Sequence, residues 1–233
     1  MKTEYGVTPH FYSIFVHLCD KYFPRDSVKT VFDVGSCHAL EAIEAAKAFP
    51  NANVYSFEAN PNTIPVIEKN IRGRERNHLV PKAVTLHDGV VDFYPIDKAN
   101  TRTHFWDGNQ GASSLLIANG EYDRETYAQY RVEVPCTRLD TVCNENNISP
   151  DVIWMDLQGT ELDALISLGD HLDNVKLIHT ELEVHAMYED QCLLQDVEPW
   201  LEERGFVMLW GNRDALYGTD FIFLRKDLCQ TQK

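Results

Sequence analysis

Four acidic residues stand at the ends of apolar, strand-like runs, and these are the positions where the sequence could do chemistry. Asp33 closes VKTVFDVG, Glu58 closes NVYSFEA, Asp156 closes DVIWMDLQG, and Glu181 ends the apolar part of VKLIHTELEV. In a doubly wound sheet, ligands lie beyond the carboxyl ends of the strands, so acidic residues at several ends converge on one site. Gly35 follows Asp33 and lets the backbone approach a ligand closely. Ser36, Cys37 and His38 then lead into a helix opening, where backbone N–H groups are unpaired. One glycine does not make a GxGxxG dinucleotide fingerprint, and no GK[ST] follows to make a P-loop. Asp33 would repel a diphosphate and welcome a cationic group.

Glu58 ends the next strand, where a carboxylate takes the two hydroxyls of a ribose. Asp33 and Glu58 together suit a nucleoside with a ribose and a positive charge but no phosphate, which points to S-adenosylmethionine. Asp156 ends a strand on the same sheet edge and is a site candidate for that reason, against the plainer reading of a helix-capping turn. Glu181, Glu183 and His185 alternate, so on an extended strand they share one face. Asp156, Glu181 and His185 are therefore the candidate catalytic residues. Glu181, Glu183 and His185 could together ligate a metal, but a solvated strand edge is the stronger reading, and no metal site is expected. A hydroxyl acceptor needs a general base, which is worth typically about 10²–10⁴-fold. Besides Asp156, His87, His104, His179 and His185 are all candidates, and the sequence does not choose among them.

The elements that must carry these residues alternate. VKTVFDVG and NVYSFEA read as strands, with HALEAIEAAKAF as a helix between them and PNTIPVIEKNI as a helix after. HLVPKAVT, VVDFYPID and VEVPCTRLDTV read as strands, the last running into a short helix. DVIWMDL and VKLIHTELEV flank an amphipathic helix, TELDALISLGDHL, that Thr160 is placed to cap. LLQDVEPWLEERGF is a helix ended by Gly205, and FVMLW and FIFLR close the chain. This order predicts an α/β fold with a mostly parallel sheet, helices on both faces and one antiparallel strand at the end. TPHFYSIFVHLCDKYF predicts an amphipathic helix within an N-terminal helical segment, residues 1–28, which would cover the site or form a homodimer contact. The polar stretch 98–129 is the expected acceptor-recognition insertion, with Arg102, His104, Trp106, Asn109, Gln110 and Ser114 as its binding groups. All of it fits one domain, 1–233.

Composition bounds the reading. With 44% hydrophobic residues in 233, the chain can bury one core and is not a disordered class. A net charge of −15 disfavours nucleic acid as the main partner, because phosphate binding needs a basic face. RGRER at Arg72 to Arg76 is a local exception that reads as a solvated loop. No run approaches the roughly 20 apolar residues of a membrane span, and the first residues lack a signal-peptide layout, so a cytoplasmic protein is expected. The six cysteines are scattered without a CxxC pair and read mostly as buried thiols.

From Thr30 to Leu228 the chain resembles the FkbM family of class I S-adenosylmethionine-dependent methyltransferases. DVGSCHALEA is similar to the family's DVGANxG segment, and VYSFEANPNT to its Glu-ended strand followed by Pro. AVTLHDGVVDFY resembles the stretch after the adenine pocket. RLDTV with DVIWMDLQGTELDAL resembles LDD…KIDVEGxExxxL, and HTELEVHAMYEDQCLLQDVEPWLEERGF resembles TEVxFxPxY…FLxxxGF. The resemblance implies a Rossmann-like, seven-stranded sheet and O-methylation of a sugar, glycan or secondary-metabolite hydroxyl. It implies that Asp33, Gly35 and Ser36, with Cys37 and His38 in the same loop, shape the pocket for the methionine part of the cofactor. Glu58 would bind the ribose, with Ala59 and Asn60 beside the adenine and Ala83, Val84 and Thr85 near the base. Asp156 would stand by the sulfonium, and Glu181 would border the acceptor. The chain departs from the family at Ser36-Cys37-His38-Ala39, where Ala-Asn-x-Gly is usual, and carries Trp154 for a Lys and Gln158 for a Glu. Those last two keep a catalytically degenerate cofactor-binding module as an alternative. A nicotinamide-dependent oxidoreductase is a weaker one, because Asp33 and the missing glycines oppose a pyrophosphate.

Overall fold

The computed structural model describes residues 9–215 and 218–231. The chain opens with α1 (Pro9–Tyr22), and the residues before Pro9 lie outside the described ones. The β-branched run after it forms β1 (Thr30–Val34), buried at every position. An alanine-rich helix, α2 (Leu40–Ala48), leads to β2 (Asn53–Phe57), and α3 (Ile64–Asn70) to β3 (Asn77–Val80). In α3 it is Pro65, rather than Pro61, that occupies the first turn.

HLVPKAVT is not one strand. Pro81 has no N–H to give a ladder, and the chain leaves the main sheet there. It continues as β4 (Ala83–Val84), which joins β5 (Gly89–Phe93) and β6 (Val132–Thr137) in a second, three-stranded sheet that the alternation did not reveal. After β6 come α4 (Leu139–Asn146), β7 (Val152–Met155), α5 (Glu161–Ser167), β8 (Leu177–Leu182), α6 (Leu194–Glu203), β9 (Phe206–Trp210) and β10 (Thr219–Arg225).

The main sheet has seven strands in the order β3-β2-β1-β7-β8-β10-β9. From β3 to β8 neighbours pair in parallel, and β10 runs antiparallel to both β8 and β9. Strand period separates two cores. Phe32, Ile153, Ile178 and Phe223 face α4, α5 and α6, while Val31, Val152, Leu177 and Ile222 face α1 and α2. Burying a Leu, Ile or Phe in such a core contributes about 1.5–3 kcal/mol. The strand order reverses between β1 and β7, and that switch point opens a crevice at their carboxyl ends. The helix α1 covers the sheet beneath the crevice, with the Phe15 ring set edge-on to Trp154 at 5.2 Å.

Candidate active site

Gly35 and Asp156 meet at the switch point. The Asp156 N–H donates to the Val34 carbonyl at 2.9 Å, and a Cβ on Gly35 would stand 1.8 Å from the Asp156 carbonyl oxygen. With its φ of +85° as well, only glycine fits this approach. Cys37 and Ala39 also have positive φ, so the loop that departs from the family pattern holds two residues in a conformation disfavoured for side chains.

Two spaces open here. The first is a narrow cleft of about 50 Å³, lined by Gly35, Cys37, Glu58, Ala59, Ala83, Val84 and Asp156 among others. Glu58 is buried, and its Oε1 accepts the N–H groups of Ala59 (2.9 Å) and Asn60 (2.7 Å) while Oε2 accepts that of Cys37 (2.6 Å). Burial raises its pKa, and those three amides pull it back down. Asn60 does not line the cleft. Its side chain instead donates to Gln110 (3.3 Å) and Ser113 (3.0 Å), tying the end of β2 to the 110–113 turn, of which Gln110, Gly111 and Ser113 line the cleft.

The second space is a cavity of about 650 Å³, within the range of small-molecule sites. Asp33, Ser36 and His38 line it, and Gly35, Cys37 and Asp156 are shared with the cleft. Ser36 and Ser56 donate to Asp33, yet burial still pushes that carboxyl up to about 7. Burial likewise raises Glu41, at the start of α2, to about 8. Burial lowers the pKa of His38.

Asp156 and Glu181 both line this cavity. The Asp156 charge, followed by burial, drives Glu181 well above the usual carboxylate range. Burial is the main cause of the upward shift at Asp156. Two adjacent carboxyls cannot both ionise cheaply, and the upward push is the stronger at Glu181. The Gln158 side-chain amide donates to Asp156 (2.5 Å) and to Glu181 (3.4 Å). Tyr188 and Ser114 hold Gln158 in turn, the tyrosine hydroxyl 3.1 Å from its Oε1 and the serine hydroxyl donating to its carbonyl at 2.8 Å. Trp154 stacks on His179, with ring centroids 3.6 Å apart, and His179 Nε2 lies 2.9 Å from Asp220.

His185 is not part of the site. The strand β8 stops at Leu182, so the alternation that would have put Glu181, Glu183 and His185 on one face ends first. Glu183 is buried, lines the cavity and takes the Gln191 amide, while His185 is exposed away from the cavity. His87 is exposed on the small sheet's side, whereas His104 and His179 line the cavity. From the 98–129 stretch, His104 and Asn109 reach the cavity and Gln110 the cleft; Arg102 and Trp106 reach neither. Sequence reasoning missed Tyr122, Arg124, Glu125 and Tyr127, which face the cavity from a segment with no periodicity to reveal them. Among the described residues no group of side chains could hold a metal ion.

Residues 33–208 match the methyltransferase FkbM domain. The chain belongs to the FkbM methyltransferase family. This FkbM methyltransferase is 26% identical over 168 residues, 72% of its length, to the 2-O-methyltransferase NoeI of Sinorhizobium fredii (strain NBRC 101917 / NGR234), of which the match covers 68%. Its fold is that of the Methanococcus jannaschii fibrillarin pre-rRNA processing protein (TM-score 0.55, 10% identity, 97% of this chain and 85% of that one). It also matches the precorrin-6y C5,15-methyltransferase of Geobacter metallireducens (TM-score 0.51, 13% identity, 94% and 88%). S-adenosylmethionine is the cofactor of this methyltransferase, and the residues fit it: a buried carboxylate, Glu58, lines the cleft and the glycine cradle at Gly35 admits no Cβ.

The buried carboxyls give the methyltransferase a signature in pH. Asp33 and Glu161 are raised to about 7, Glu41 and Glu183 to about 8, each chiefly by burial. Their folded pKa values exceed the unfolded ones, so the stability they contribute is full below about pH 4 and is lost as pH rises through 7 and 8. Thermal unfolding of the ligand-free protein should therefore show Tm falling by several degrees from pH 5.5 to 8.5. About 1 kcal/mol moves Tm by roughly 2–4 °C at this size. A Tm that rises over that interval would contradict the assignment.

Proposed function

We propose that the enzyme O-methylates a hydroxyl of a polyhydroxylated acceptor, a sugar unit of a glycan or of a secondary metabolite. The observation that carries this is the cavity of about 650 Å³ that meets the cofactor cleft at Asp156. Carboxyls from Asp33, Glu41, Asp156, Glu181 and Asp220 line it, with rings from Phe105, Tyr122 and Tyr127 at its mouth-forming loop. Aromatic faces and hydrogen-bonding oxygens suit a sugar ring, and an anionic acceptor would be repelled. The likeness to a 2-O-methyltransferase supports oxygen as the accepting atom.

Bound in the cleft, S-adenosylmethionine supplies an electrophilic methyl group on a sulfonium. Glu58 would accept from the ribose hydroxyls, and Ala83 and Val84 would pack on the base. Asp33 and Glu41 offer negative charge to the cationic amino-acid part. Asp156 takes the proton of the acceptor hydroxyl, and the protonated Glu181 and the Gln158 amide hold Asp156 in place. Orientation of the two reactants accounts for much of the rate, at most roughly 7–11 kcal/mol.

The test is transfer of a labelled methyl group to neutral monosaccharides and glycosides, beside uronic acids and sugar phosphates of matching rings. Label in the neutral sugars as a base-stable ether, and little in the anionic ones, is the expected result. Transfer to nitrogen instead would overturn the acceptor reading. S-adenosylhomocysteine binding without transfer to any hydroxyl would favour a module that has kept the cofactor and lost the reaction.

A further inference from the structure

Thr160 stands where a helix cap belongs and does not act as one. It is the residue before α5, and a threonine there ordinarily accepts a first-turn amide. Its φ and ψ are −117° and 25°, and its side chain makes no capping bond. The first-turn N–H of Leu162 goes to Cys192 Sγ (3.5 Å) instead, and the Glu161 carboxylate accepts the N–H groups of Leu157 (2.9 Å) and Gly159 (3.1 Å). Thr160 is 8% exposed, and its hydroxyl has no hydrogen-bond partner among the described residues. A buried hydroxyl left unpaired is destabilising. Such a group persists when something other than folding uses it.

The same residue lines the narrow cleft. One end of that cleft carries Glu58, the ribose acceptor. The rest of its wall is largely apolar, built from Ala83, Val84, Phe93, Leu115 and Leu157. A flat purine belongs against such a wall. Thr160 directly precedes α5, and α5 packs on β4, the strand of Ala83 and Val84.

We infer that the Thr160 hydroxyl is a hydrogen-bonding contact for the polar edge of the adenine base. This rests on the cofactor reading given above. The hydroxyl can donate or accept, so it can meet either an edge nitrogen or the exocyclic amine. The cost of leaving it unpaired in the empty protein is recovered on binding.

The experiment is calorimetric titration with S-adenosylhomocysteine and with adenosine, on wild type, Thr160→Val and Thr160→Ser, together with thermal unfolding of each ligand-free protein. Valine keeps the shape and removes the hydroxyl; serine keeps the hydroxyl. Thr160→Val is expected to weaken both ligands by about 5–10-fold, the loss of one neutral hydrogen bond. Its ligand-free Tm should equal or exceed the wild-type value. Thr160→Ser should bind within about twofold of wild type. Wild-type affinity in the valine variant overturns the inference, as does a lowered ligand-free Tm in that variant, which would mark a structural hydroxyl. A loss seen with S-adenosylhomocysteine but not with adenosine overturns its placement on the nucleoside. A wild type that binds neither ligand sinks the cofactor reading itself, which none of the other outcomes does.

Discussion

Replacing Glu58 by alanine should lower the affinity for S-adenosylhomocysteine by about 10²–10⁴-fold. Two ribose hydroxyls bonded to one carboxylate are worth about 1.5–3 kcal/mol each, and about 1.4 kcal/mol is a factor of ten. No other carboxylate lines the cleft except Asp156, at the switch point. The alanine variant carries a second penalty, since the amides of Cys37, Ala59 and Asn60 lose their acceptor. Buried donors left unpaired cost about 1–3 kcal/mol apiece, so Tm should fall as well. Glu58→Gln separates the two effects. Its Oε1 can still accept from Ala59 and Asn60, and folding should be largely kept. Its amide group faces the Cys37 N–H and can accept nothing there. Calorimetry on Glu58→Gln should therefore show a 10–100-fold weaker Kd, as expected for about one charged hydrogen bond lost, with a Tm lowered by the one unpaired Cys37 amide and above that of Glu58→Ala, which leaves three unpaired. NAD should not bind any of the three proteins. Binding by Glu58→Gln within threefold of wild type would mean that the ribose is held elsewhere.

What the sequence made legible was the part governed by short-range chemistry. The β-branched run before Gly35, the glycine itself and the carboxylates closing β1, β2 and β7 are local patterns, and the structure brings them to one crevice. The loop at Cys37 is legible as a departure but not as a geometry, because its alternating positive φ values depend on how the backbone packs on Asp156. His185 misled because alternation says nothing about where a strand stops. The ladder of β8 runs only as far as its partner, Leu182 opposite Thr219, and beyond it the parity is lost. The split at Pro81 was readable from the missing N–H alone. The second sheet was not, since β4 is two residues long and its partner β6 lies far along the chain. Tyr122, Arg124, Glu125 and Tyr127 sit in a segment held by side-chain bonds such as Thr103 and Asn109 to Glu125, and no periodic pattern encodes such bonds. Trp154 and His179 show the opposite case. Both are ordinary strand residues by pattern, and the parallel register of β7 and β8 sets them side by side on the cavity face.

Asp156→Asn should cost about 10²–10⁴-fold in turnover with any hydroxyl acceptor that the wild type methylates. S-adenosylhomocysteine should still bind within a few-fold, because asparagine keeps the shape of the side chain and the backbone contacts to Val34. The sharper comparison is Glu181→Gln. If Glu181 holds the shared proton, glutamine imitates its protonated form and still donates toward Asp156. Turnover should then fall by less than about tenfold, well short of a lost general base. The pH profile distinguishes the two carboxyls further. A base must be ionised, so kcat/KM should rise with pH, and its inflection should lie above the ordinary aspartate value of about 3.9, because burial raises Asp156. Other groups act on the pair: Asp220 raises both carboxyls, Glu183 raises Glu181, and His179 and the Gln158 amide favour ionised Asp156. Those remain in Glu181→Gln, and the glutamine amide replaces the hydrogen bond by which Glu181 favours ionised Asp156. The inflection should consequently stay near its wild-type position in that variant and vanish in Asp156→Asn. Near-wild-type turnover in Asp156→Asn, with the loss appearing in Glu181→Gln, would exchange the two roles and make Glu181 the base.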